Sequence, residues 1–117
     1  PMESEEFLKM VKENFNLKVI KHTNFTKGKV QKIGVCGGSG VFLLDQAKRK
    51  QADVFITSDI KYHEFFDAQN DLLVLDIGHY ESEQHTYTLL KDVLSQNFSN
   101  FAINITEKNT NPVNYYL

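Results

Sequence analysis

The 117-residue chain is predicted to be an α/β protein, with a mainly parallel sheet flanked by helices. Three observations predict this. Short apolar runs alternate with stretches of helical spacing along the chain. The runs at residues 52–57 and 72–77 are apolar almost throughout, which suits parallel strands covered on both faces. Three runs end in unusual polar groups: Cys36-Gly37-Gly38-Ser39-Gly40, Thr57-Ser58-Asp59 and Asp76-Ile77-Gly78-His79. Ligands of open parallel sheets gather at such carboxyl ends.

In chain order, residues 3–14 are predicted to form a helix. Phe7, Leu8 and Val11 recur at helical spacing, and acidic residues occupy the first turn, where the helix dipole favours them. Residues 18–22 read as a short strand and 24–29 as a polar turn. Residues 30–36 form a second strand, which the glycines at 37, 38 and 40 interrupt. Residues 41–50 read as a helix with basic residues in its last turn. A strand at 52–57, a short helix at 61–69 and a strand at 72–77 follow. A longer helix at 81–96 has Leu89, Leu90, Val93 and Leu94 inward, a last strand covers 101–105, and a tail begins at Thr106. No repeat, linker or low-complexity stretch is visible.

Length and composition narrow the function. The chain suffices for a single α/β domain spanning residues 1–117. With 41% hydrophobic and 24% charged residues it reads as a globular protein. A net charge of -2 and the absence of a basic stripe argue against nucleic acid or an anionic membrane as partner. No apolar run approaches a membrane span. The lone cysteine, Cys36, permits no internal disulfide, and a cytoplasmic location is expected. Pro1 before Met2 is not how a newly made chain starts, so an expressed piece of a longer protein is expected.

His79 and Glu83 stand four residues apart, one helical turn, and carry an imidazole nitrogen and a carboxylate that suit a divalent transition metal. The competing reading is a solvated helix start. Two ligands are also fewer than the three of an open catalytic zinc. Gly37-Gly38-Ser39-Gly40 is either a tight turn, with Ser39 capping the next helix, or a cradle whose amides hold an anion. Asp59 and His63 are again four apart at a helix start, where Asp59 fits a cap as well as a functional group. Cys36 fits a buried small hydrophobe. Tyr115 and Tyr116 suit an interface or core anchor.

Taken in order, four segments resemble the GTP cyclohydrolase I type 2 homologue family, also called the NGG-interacting factor three-like proteins. They are Val35-Cys36-Gly37-Gly38-Ser39-Gly40, the run from Ala52 through Thr57-Ser58-Asp59 to His63, the segment Asp76-Ile77-Gly78-His79-Tyr80-Glu81-Ser82-Glu83, and Thr110-Asn111-Pro112. The resemblance runs from about residue 30 to the end. It implies one half, the C-terminal one, of a two-part α/β fold with a dinuclear metal centre between the parts. His79 and Glu83 match the metal ligands of this half. A His-His pair and a further motif would come from the N-terminal half, which the resemblance makes this chain's partner. The implied cofactor is a pair of divalent ions, zinc, iron or manganese. Asp59 and His63 fall beside the ligands or facing the substrate. The family has glycine where Ser58 stands, which bears on how closely the backbone approaches there. Ring-shaped homo-oligomers, often hexamers, are implied for the full-length form. The implied function is a metal-dependent, hydrolase-like protein acting on a nucleotide or related heterocycle, inactive as this piece alone. The alternative is a non-catalytic, metal-binding oligomeric regulatory or interaction module. A complete site formed within this chain by Asp59, His63, His79 and Glu83 is a third reading.

Overall fold

The structure is a computed structural model that describes residues 1–26 and 28–117. The chain divides into two compact units, Pro1–Ser82 and Glu83–Leu117. The first unit begins with helix α1 (Ser4–Asn14), which buries Phe7 and Val11. Strands β1 (Lys21–His22), β2 (Ile33–Ser39), β3 (Val54–Ser58) and β4 (Leu73–Asp76) form one sheet in the order β1-β4-β3-β2. Helices α2 (Leu44–Arg49) and α3 (Tyr62–Ala68) make the crossovers. β2 pairs with β3 and β3 with β4 in parallel, whereas the two-residue β1 runs antiparallel to β4. The expected parallel α/β sheet is present, with one antiparallel edge.

Period-two alternation decides which side chain meets which layer. Val54 and Ile56 of β3, with Leu73 and Leu75 of β4, join Phe7, Val11, Leu17 and Val30 on the α1 side. Phe55 and Val74 face the other way, onto Leu44, Ile60, Ala68 and Leu72. Both faces are therefore dry, which explains why β3 and β4 read as continuous apolar runs. Each fully buried leucine or valine contributes roughly 1.5–3 kcal/mol relative to exposure.

The predicted boundaries shift in informative places. β2 does not stop at Cys36 but continues through the glycines to Ser39, with its register against β3 shifting between Val35 and Ser39. Gly38 adopts a φ of +68°, left-handed backbone that glycine tolerates at little cost. Residues 41–50 start as a 3-10 turn (Val41–Leu43) before α2. Of the turn expected at 24–29, Lys27 lies outside the described residues, and Gly28 has a φ of +97°. Cys36 is half-buried against the α2 side of the sheet rather than fully buried.

α4 (His79–Glu83) ends the first unit and enters the second, and α5 (Thr86–Asn97) follows. The helix predicted at 81–96 is thus two helices. Leu89, Leu90, Val93 and Leu94, expected inward, are exposed. The second unit has no sheet among its described residues on which α5 could bury that stripe. The strand expected at 101–105 is not formed either. A strand satisfies its amides only by pairing, and no paired strand is described in that unit. Tyr116 is fully exposed, so it is no core anchor among these residues.

Gly40 is buried, and a Cβ there would lie 2.5 Å from Thr57 Oγ1 and 2.6 Å from Cys36 Cβ and Sγ. Gly40→Ala is expected to destabilise the fold by about 1–3 kcal/mol. Urea unfolding checks this as a lower midpoint with an unchanged slope.

Candidate functional site

The carboxyl ends of β2, β3 and β4 converge on one edge of the first unit. Buried hydroxyls organise it. Thr57 and Ser58 end β3 fully buried, where an unpaired hydroxyl would cost about 1–3 kcal/mol. Thr57 Oγ1 donates to the Gly38 carbonyl at 3.0 Å and accepts the Gly40 N–H at 2.9 Å. Ser58 Oγ donates to the same carbonyl at 2.5 Å. Ser58, where the resemblance implies a glycine, is therefore accommodated by a hydrogen bond to the glycine loop.

Asp76 performs the same office for β4. Its buried carboxylate accepts the Ile60 and Gly78 N–H groups, each at 3.1 Å, and lies 3.5 Å from Lys21 Nζ. It thereby ties the loop after β3 to the turn before α4. The bracing roles of Thr57, Asp76 and Ser82 are not evident from residue spacing.

On this frame three side chains meet. Asp59 follows β3 with a φ of +56°, a left-handed conformation that costs a non-glycine residue roughly 1–2 kcal/mol. Its Oδ2 accepts the Ser39 hydroxyl at 2.5 Å and lies 2.5 Å from Nδ1 of His79, the first residue of α4. Neither the Asp59 nor the Ser39 side chain caps a helix. Lys61 precedes α3, where its N–H is taken by Glu64 Oε1 at 2.8 Å, and Gly40 precedes the 3-10 turn. The side chains of His79 and Asp59 are 52% and 50% exposed, so the pair is open to solvent. A second tie holds the backbone of His79. Ser82 Oγ donates to its carbonyl at 2.9 Å and accepts the Gly38 N–H at 2.8 Å.

Glu83 is the exposed last residue of α4 and opens the second unit. His63 is exposed on α3, edge-on to the Tyr62 ring at a centroid distance of 5.2 Å. Of the glycine loop, the Gly38 and Gly40 amides donate to Ser82 and Thr57. Among the described residues no group of three or more His, Cys, Asp and Glu side chains is arranged to hold an ion. Of Asp59, His63, His79 and Glu83, Asp59 and His79 are in direct contact, and no group of three or more completes a site among the described residues.

Comparison with known proteins then decides the family. The profile of Duf34/NIF3 (NGG1p interacting factor 3) matches residues 1–112. The chain belongs to the Duf34/NIF3 family. It is similar to GTP cyclohydrolase 1 type 2 homologs of Staphylococcus aureus, with 34% identity over 119 residues, and of Staphylococcus epidermidis, with 32% over 118. Each comparison covers 97% of this chain and 32% of the relative, so the chain spans about a third of the relatives' length. A Staphylococcus aureus crystal structure matches 98% of this chain and 39% of its own at a TM-score of 0.83 and 30% identity. A Bacillus cereus protein related to NIF3 matches 98% of this chain and 33% of its own at 0.80 and 29%. No helix of the described residues is long and apolar enough to cross a membrane.

The Asp59 carboxyl is held below its ordinary value of 3.8, first by the hydrogen bond to His79, then by that to Ser39, against an opposing effect of burial. A carboxyl depressed on folding adds stability above its unfolded pKa, and that stability is lost as pH falls through the lower folded value. Carbon-detected NMR titration is expected to find Asp59 below 3.8, and His79→Ala is expected to move it upward.

Proposed function

We propose that this chain contributes one face of the metal site of a dinuclear-metal-binding, hydrolase-like protein, with His79 and Glu83 as ligands. The observation that carries this reading is the contact between His79 Nδ1 and Asp59 Oδ2 at 2.5 Å. A carboxylate against one ring nitrogen holds the N–H there and leaves the lone pair on Nε2, the arrangement that metal-binding histidines use. An imidazole and a carboxylate fit zinc, iron or manganese. No larger cluster of ligating side chains is present among the described residues, so the remaining ligands are assigned to the N-terminal half of the parent protein.

When bound, the ions would supply Lewis acidity and a water acidified toward neutral pH. This chain's own residues supply orientation. Asp59 holds the His79 Nδ1–H, Ser39 holds Asp59, and Asp76 ties the loop that carries Asp59 to the turn that leads into His79. The Gly38 and Gly40 amides serve inside the protein, which favours the glycine loop as a brace over the loop as an anion cradle. A nucleotide or related heterocycle is the proposed substrate class, and Asp59 and His63 border the approach to it.

A second reading, an oligomeric interaction module with a non-catalytic metal, draws support from the exposed stripe Leu89, Leu90, Val93 and Leu94. Screening the metal-loaded parent protein against nucleotides and phosphoesters separates the two. Loss of a hydrolysis in His79→Ala favours the enzyme, and loss of the oligomer alone favours the module.

For the 117-residue chain, zinc calorimetry is expected to show weak binding that His79→Ala removes. Asp59→Asn is expected to weaken it by roughly 10–100-fold. Tight binding of two ions per chain would contradict a shared site.

A further inference from the structure

We propose that Ser39 is a positioning residue, whose hydroxyl, on the same Asp59 oxygen that faces His79, sets the ring orientation and tautomer with which His79 meets a divalent cation. The inference rests on the reading of His79 as a ligand and extends it to a residue that never touches the ion.

Ser39 is exposed at the end of β2, where water could satisfy its hydroxyl fully. It caps no helix, since Gly40 precedes the following turn without a side-chain cap. Its hydroxyl instead reaches Asp59 Oδ2 at 2.5 Å. That oxygen also faces His79 Nδ1, so one atom receives two donors from different elements. A carboxylate held at one oxygen by a second donor cannot rotate that oxygen away from the imidazole without losing both bonds.

The neighbouring residue fixes the other end of His79. The Gly38 N–H holds Ser82 Oγ, which donates to the His79 carbonyl. Two consecutive loop residues thus divide the work: Gly38 places the His79 backbone and Ser39 aims its ring. Asp59 sits in a left-handed backbone conformation while its carboxylate takes the Ser39 hydroxyl. Removal of the Ser39 hydroxyl leaves the Gly38–Ser82 tie in place and releases only the carboxylate. A purely structural serine would behave differently, affecting stability without affecting the His79 ring.

The test combines nitrogen NMR of the His79 ring with zinc calorimetry on the 117-residue chain. The unaltered chain is expected to show the Nδ1–H form. Ser39→Ala is expected to yield a mixture of tautomers and a zinc affinity lower by roughly 10-fold or more. Ser39→Thr keeps a hydroxyl and is expected to restore both. Ring shifts in Ser39→Ala identical to those of the unaltered chain would overturn the proposal. A dominant Nε2–H form in the unaltered chain would do so as well, and needs no variant to fold. If His79→Ala leaves zinc affinity unchanged, the ligand reading fails, while the ring spectra still decide whether Ser39 holds the imidazole.

Discussion

The buried end of β3 is the constraint on which the rest of the carboxyl edge depends. Thr57 and Ser58 carry hydroxyls into a sheet that is dry on both faces. Both are satisfied by the Gly38 carbonyl, and Thr57 also takes the Gly40 amide. That demand explains the register shift in β2, the positive φ of Gly38 and the absence of space for a Cβ at Gly40. Once the loop is folded back in this way, Ser39 is brought to Asp59, and Asp59 to His79. The geometry of an exposed pair is thereby set by groups that never see solvent.

This arrangement gives the family membership a physical content. The chain spans about a third of its GTP cyclohydrolase 1 type 2 homolog relatives, and the proposed contribution to a shared metal site rests on one exposed imidazole braced by a carboxylate. The exposed apolar stripe of α5 has the same character, with side chains suited to burial that nothing in the second unit covers.

Much of the fold was legible in the residues, and the failures have identifiable causes. The continuous runs of β3 and β4 announced strands covered on both faces, because nothing in them needed water. Ser39, Asp59 and His79 were placed on one edge because each falls at the carboxyl end of a strand in the predicted parallel sheet. Glycines read as a strand break instead continue the strand, because a bulge and a break use the same residues. The strand expected at 101–105 and the inward face at Leu89, Leu90, Val93 and Leu94 depended on partners that periodicity cannot supply. Asp59 and Ser39 read equally well as helix caps, and only the distances to Oδ2 separate that role from the one they have.

The central claim is that His79 binds a divalent ion through the nitrogen opposite Asp59. X-ray absorption of the zinc-loaded parent protein tests it most directly, with His79→Ala alongside. The account predicts an imidazole nitrogen shell at about 2.0–2.1 Å that loses one ligand in the variant. An unchanged imidazole count in His79→Ala would contradict it.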